Sequence, residues 1–232
     1  MTAPLTIAID GPSGSGKSSV SKAVARRLGV GYLDTGAMYR ALTWWCLERG
    51  LDLSDTEAVA AAARELPLVI STDPDDPTVT VDGTDVGEAI RSTRVSTAVS
   101  AVATNLEVRS VLRVLQRDLM ARAAEQSGGV VAEGRDITTV VAPDARVRVL
   151  LTASEDARLR RRSAELHGAT DATAVEATRD QVVRRDRDDS TVSSFTEAAP
   201  GVTLVDTSEL DFDESVEAVL DVVAAETAEP VG

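Results

Sequence analysis

The sequence predicts an α/β fold, a three-layer sandwich in which helices cover both faces of a five-stranded parallel sheet, as one domain over 1–232. Three observations predict it. Short apolar runs rich in β-branched residues alternate with longer helix-like segments. A glycine-rich loop joins the first such strand to the first helix. The 232 residues contain no repeat, low-complexity tract or long linker that would divide the chain.

Each element has its own signal. "LTIAID" (5–10) is a short apolar run and reads as a buried strand. After the glycine loop, "KSSVSKAVARRLG" reads as a helix closed by Gly29. "VGYLDTG" gives a second strand ending near Asp34, and "AMYRALTWWCLERG" a helix closed by Gly50. "TEAVAAAAREL" is a third helix. The texture then changes over 66–87, which is rich in proline and aspartate. Its two alternating runs and the Asp82-Gly83 turn signal read as a small antiparallel insert. The stretch from Arg91 to Gly128 is mostly helical, with a break near Ala103–Asn105. "GGVVAEGRD" (128–136) is a third core strand with a polar tip, and "RVRVLLTA" (146–153) a fourth. A helix capped by Ser154 follows, and "TAVEATRDQVVRRDRDDS" reads as another; together 154–190 form a lid region. "GVTLVDT" (201–207) is the fifth core strand, "FDESVEAVLDVVAAE" the last helix, and "TAEPVG" a frayed tail.

Composition narrows the function. The net charge of −14 speaks against nucleic-acid polymers and acidic membranes as partners. Aromatic residues are only 3%, so the core must be aliphatic. Of the 24 basic residues only Lys17 and Lys22 are lysine; arginine is the better fork for phosphate and carboxylate oxygens. A single cysteine, Cys46, excludes an intrachain disulfide and a cysteine zinc cluster, and neither it nor His167 lies in a catalytic pattern. The N-terminal stretch has no basic leader, and no apolar run approaches the roughly 18 residues that span a bilayer. The expected compartment is the cytoplasm.

The chemistry is concentrated in "GPSGSGKS". Gly11, Pro12, Ser13, Gly14, Ser15, Gly16, Lys17 and Ser18 fit G-x-x-x-x-G-K-[ST] at every position, with a strand before and a helix after. Such a loop turns its N–H groups onto a phosphate at a positive helix end. Lys17 then reaches the outer phosphates and the Ser18 hydroxyl suits Mg²⁺. ATP or GTP binding follows. A guanine-reading N-K-x-D loop is impossible, because the only asparagine, Asn105, precedes Leu106. "TLVDT" and "VVAEG" only half-match the acidic strand end of a motor ATPase. A kinase instead needs a second anion site, and arginines recur at loop tips: Arg40 in "DTGAMYR", Arg135 in "EGRD" and Arg185 in "RRDRDD". Two alternatives remain: another small-molecule or nucleotide kinase on the same core, and a nucleotide-gated interaction module that transfers nothing.

Together, "IAIDGPSGSGKSSVSKAVARRLG", "YLDTGAMYRA", "GEAIRS" with "VSTAVSAVA", "EGRDITTVVAPDA" and "RRDRDDS" resemble the bacterial cytidylate kinases, in that family's order, over roughly 5–210. The resemblance implies a P-loop nucleoside monophosphate kinase with core strand order 2-3-1-4-5, acting on ATP with Mg²⁺ and on CMP or dCMP. A monomer is expected, although the sequence itself does not set the oligomeric state. The resemblance also implies that Gly11 to Ser19, including Ser19, hold the ATP phosphates, and that Ser18 serves the metal. Arg158 and Arg161 would cover ATP from the lid. Thr35, Arg40 and Arg135 would hold the CMP phosphate, while Ser100, Arg109 and Asp136 would read cytosine. Arg185 and Asp189 would reach the CMP sugar and the phosphates. Lys17, Arg135 and Arg185 would carry the transfer. The family often has a further arginine after the "RDxxD" segment; here Thr191 and Val192 stand there. Either Arg184 or Arg187 replaces it, or transfer uses fewer cations.

Overall fold

The computed structural model describes residues 4–167, 179, 182–184 and 186–228. The five core strands are β1 (Leu5–Asp10), β2 (Gly31–Asp34), β6 (Gly129–Gly134), β7 (Val147–Thr152) and β8 (Thr203–Asp206). They form one sheet in the order β2-β6-β1-β7-β8, and every pairing is parallel. Counting core strands alone, this is the anticipated 2-3-1-4-5.

Alternation along β1 explains the layers, because successive side chains leave a strand on opposite faces. Ile7 and Ile9 face Val20 and Val24 of α1 (Lys17–Leu28) and Val216, Val219 and Val223 of α7 (Phe212–Thr227). Ala8 faces the other way, toward Met120, Ala123 and Ala124 of α5 (Leu106–Ser127). Gly31 is needed on that face: a Cβ there would lie 2.9 Å from the Ala123 Cβ. A third cluster joins Leu42 and Cys46 of α2 (Thr35–Glu48) to Val59 of α3 (Thr56–Arg64). Val102 of α4 (Thr93–Ala103) and Leu112 of α5 complete it. Each fully buried aliphatic side chain contributes about 1.5–3 kcal/mol, so these helices are held by packing. The break between α4 and α5 falls at Asn105. Its side chain accepts from the Glu107 and Val108 N–H groups and donates to the Thr56 carbonyl.

The insert forms a separate antiparallel sheet, β3 (Leu68–Ile70), β4 (Val79–Val81) and β5 (Thr84–Asp85). It has three strands where two alternating runs were legible, because β5 is only two residues long. The Asp82-Gly83 turn has positive φ at both residues, 51° and 74°, as a tight hairpin requires. Val79 and Val81 bury themselves against Ala37 and Ala41 of α2. The Tyr32 N–H donates to the Thr72 carbonyl at 2.8 Å, and Arg26 pairs with Asp75 at 2.7 Å. The insert therefore shares the core's packing rather than making its own. In the lid region, α6 (Glu155–His167) is described, and residues 182–184 and 186–190 are helical. Arg185 lies outside the described residues.

Candidate active site

All five core strands are parallel, so their carboxyl ends gather on one edge, where open α/β sheets bind ligands. The glycine loop leaves β1 there. A Cβ on Gly11 would lie 2.2 Å from the Leu151 carbonyl oxygen, so the loop starts pressed against β7. Gly14 has φ +76°, and a Cβ there would come within 2.6 Å of the Arg158 carbonyl oxygen. Gly16 precedes α1 and no side chain caps that helix. Its first N–H groups are thus directed at the loop's hollow, as an anion site needs.

Lys17 opens α1 with its side chain 16% exposed, more enclosed than a solvated loop position. Its Nζ lies 4.0 Å from Glu133 Oε2 and 3.5 Å from the Pro12 carbonyl oxygen. The Ser18 hydroxyl donates to Glu133 Oε1 at 2.7 Å. Glu133 is the penultimate residue of β6, next to β1 in the sheet, and is 1% exposed. Burial pushes its carboxyl above the ordinary range, with the Asp34 charge adding to the effect; Lys17 and Ser18 oppose it. A buried carboxylate against a serine hydroxyl is a hard-oxygen pair that suits Mg²⁺.

The second lobe begins at the end of β2. Asp34 caps α2 by accepting from the Ala37 N–H at 2.8 Å. Its other oxygen takes Arg40 Nη2 at 2.8 Å and lies 3.7 Å from Arg91 Nη2. Burial works against ionised Asp34, but Arg40 and Arg91 prevail and hold its carboxyl below the ordinary range. Arg40 Nε is buried without a hydrogen-bond partner among the described residues, a donor able to serve a ligand. The Thr35 hydroxyl donates to the Glu133 carbonyl at 2.8 Å and ties the ends of β2 and β6 together.

Beyond β6 comes Arg135-Asp136. This corner is fixed from below by Asp10 at the end of β1, which accepts from the Ile137 and Thr138 N–H groups and the Thr138 hydroxyl. Burial raises the Asp10 carboxyl, partly offset by those three bonds. Asp136 pairs with Arg109 at 2.6 Å, and both side chains are about one-tenth exposed, at 12% and 10%. Arg109 also donates to the Ala103 carbonyl and the Ser193 hydroxyl. Two of the three residues read as base contacts thus meet.

Arg135 is the hub. Its Nη1 donates to the Gly11 carbonyl at 2.6 Å, its Nε reaches Asp189 at 3.1 Å, and its Nη2 reaches Asp186 at 3.1 Å. The guanidinium stacks 4.4 Å from the centre of the buried Phe195 ring. Arg158 donates to the Ser13 carbonyl at 2.9 Å and pairs with Asp186. Arg161 is committed elsewhere: it binds the Ser15 carbonyl and both the hydroxyl and carbonyl of Thr207. It braces the loop, while Arg162 is the α6 arginine that lines the cleft. Likewise Ser96, Val99 and Ala103 are the α4 lining residues; Ser100 is half-buried on the same helix and uses its carbonyl to accept from Thr104. Arg184 and Arg187 are both exposed.

One cleft of about 960 Å³ runs from the glycine loop past Glu133 and Arg135 to Arg40, Arg109 and the insert. Its volume lies at the large end of the ligand-pocket range. Glu133, Asp34, Asp186 and Phe195 belong to this site without having been singled out from the sequence. For Glu133 the available signal was a carboxylate closing an apolar strand, "VVAEG".

A phosphate loop with an uncapped helix behind it, facing a lobe lined with arginines across one cleft, defines a P-loop kinase. The cytidylate kinase family model matches residues 7–225. A cytidylate kinase of Streptomyces coelicolor is 49% identical over 229 residues, covering 98% of this chain and 96% of its own. One of Cutibacterium acnes is 49% identical over 223 residues, covering 96% and 97%. A solved structure of a protein from Eubacterium ventriosum, 12% identical, has a TM-score of 0.50 over 95% of this chain and speaks to the fold alone. The chain belongs to the cytidylate kinase family.

Proposed function

We propose that the cleft holds ATP at its glycine-loop end and CMP or dCMP at its Arg40–Arg109 end, side by side. The enzyme transfers the γ-phosphate of ATP to the monophosphate, giving ADP and CDP or dCDP. The observation that supports this reading is the continuity of the cleft, which leaves room for a donor and an acceptor nucleotide side by side. Gly11 to Ser19 hold the donor phosphates, and Lys17 neutralises their charge. Arg40, Thr35 and Arg135 take the acceptor phosphate, while Arg185 and Asp189 serve the CMP sugar and the phosphates. Arg109 and Asp136 read the base, with Ser100 on the neighbouring helix. The acceptor oxygen is already anionic at neutral pH, so no general base is needed.

Ser18 and Glu133 would hold Mg²⁺, directly or through its waters. When bound, the ion would offset the charge of the phosphates. The protein's own part is to orient, neutralise and exclude water. Among the described residues no helix is long and apolar enough to cross a membrane; the proposal places the enzyme in the cytoplasm as a monomer.

A coupled assay of ADP formation with ATP and each of the four ribonucleoside monophosphates tests the reading. CMP should give the fastest turnover. Equal turnover with all four, or ADP formation independent of any acceptor, would overturn it.

A further inference from the structure

Asp186 has three donors converging on one carboxylate. Its Oδ1 accepts from the Ser13 N–H of the glycine loop at 3.0 Å and from Arg135 Nη2 at 3.1 Å. Its Oδ2 pairs with Arg158 Nη1. The side chain is 14% exposed. A backbone N–H of the loop flanked by two guanidiniums is the set of groups that phosphate oxygens take up. The anion in that position comes from the chain itself, 173 residues along from Ser13.

We propose that Asp186 is an internal counter-ion standing in the phosphate path, and that incoming nucleotide phosphates displace it. The proposal rests on the reading of Arg135 and Arg158 as phosphate holders. Two anions cannot share those donors, because like charges at contact distance repel by several kcal/mol at an effective dielectric near 20. The geometry makes the exchange simple. Arg135 keeps its place when Asp186 leaves, since Gly11 holds its Nη1 and Asp189 its Nε. The Ser13 N–H, Nη2 of Arg135 and Nη1 of Arg158 change partner. Until then the carboxylate cancels the repulsion between two guanidiniums and keeps the lid against the loop. Asp189, on the same lid, is the fixed half of the pair; Asp186 is the exchangeable half.

The test is the affinity for inorganic tripolyphosphate and for a non-hydrolysable ATP analogue, measured by calorimetry on the full chain. Asp186→Asn keeps the shape and removes the charge, so both ligands should bind at least about fivefold tighter. Asp186→Glu restores the charge and should return affinity toward wild type. In turnover, Asp186→Asn should lower KM for ATP and kcat together, because the lid no longer regains its own anion when product leaves. A merely structural aspartate would not tighten binding. Arg158→Ala separates the two layers of the argument. If it weakens tripolyphosphate binding while Asp186→Asn leaves binding unchanged or weaker, the counter-ion role is overturned and the arginine assignment stands. Unchanged binding in both variants removes both.

Discussion

Replacing Asp136 with alanine should make the enzyme lose its ability to tell cytosine from uracil. Cytosine offers an amino donor at N4, where uracil offers the acceptor O4. In the structure one oxygen of Asp136 takes Arg109 at 2.6 Å, and its other oxygen has no hydrogen-bond partner among the described residues. That oxygen is the natural acceptor for N4. Both side chains are nearly buried, at 10% and 12% exposure, so the bond is made away from bulk water. A hydrogen bond to a charged group in such a setting contributes about 1.5–3 kcal/mol, or roughly 10- to 150-fold. In Asp136→Ala, kcat/KM for CMP should fall by about that factor. UMP never makes the contact, so its kcat/KM should change far less and the CMP:UMP ratio should collapse. The variant also strips Arg109 of its charged partner, leaving the Ala103 carbonyl and the Ser193 hydroxyl. It should therefore melt lower, by an amount worth about 1–3 kcal/mol, while remaining folded at assay temperature. The decisive data are kcat/KM for both nucleotides in both proteins, with thermal melts alongside. An unchanged ratio in a folded variant would remove Asp136 from the base site.

Lys17→Ala should reduce turnover by roughly 100-fold or more through loss of a charge on the transferring group, with the fold retained by circular dichroism. Glu133→Gln should weaken Mn²⁺·ADP binding, followed by electron paramagnetic resonance, more than it weakens metal-free ADP, because the charge beside Ser18 is lost while the hydroxyl stays. Cys46 is fully buried and its thiol is pushed up to about 11. At pH 8 only about one thiol in a thousand is ionised, so a thiol reagent should label it on the timescale of unfolding and not faster. Hydrogen exchange over 66–87 should slow on addition of CMP and barely change with ATP alone, since the insert lines the far end of the cleft.

The sequence made the local parts of this site legible and left the through-space parts hidden. The glycine loop could be read because its function depends on spacing within eight residues, Gly11 to Ser18. The helix break was legible because Asn105 caps α5 with its own side chain. Strand periodicity gave five core strands, but their order came from family resemblance, since alternation says nothing about which strand lies beside which. That is why Glu133 was missed: it reaches Ser18, 115 residues away, only because β6 lies next to β1. Asp186 and Phe195 reach the site through the return of the chain after α6, which no local pattern encodes. Ser100 and Arg161, named from the sequence, lie on α4 and α6, helices that both line the cleft. Which side chains of a helix face a cleft depends on how that helix is rotated against its neighbours, so Ser96 and Arg162 line it instead.

The central claim is that donor and acceptor lie in one continuous cleft. A single molecule joining cytidine and adenosine through a chain of phosphates tests it most directly. Steady-state inhibition by this compound should be competitive against ATP and also competitive against CMP, with an affinity well above that of either nucleotide alone. Competition against only one substrate, or affinity no better than that of the single nucleotides, would show that the two ends of the cleft do not work as one site.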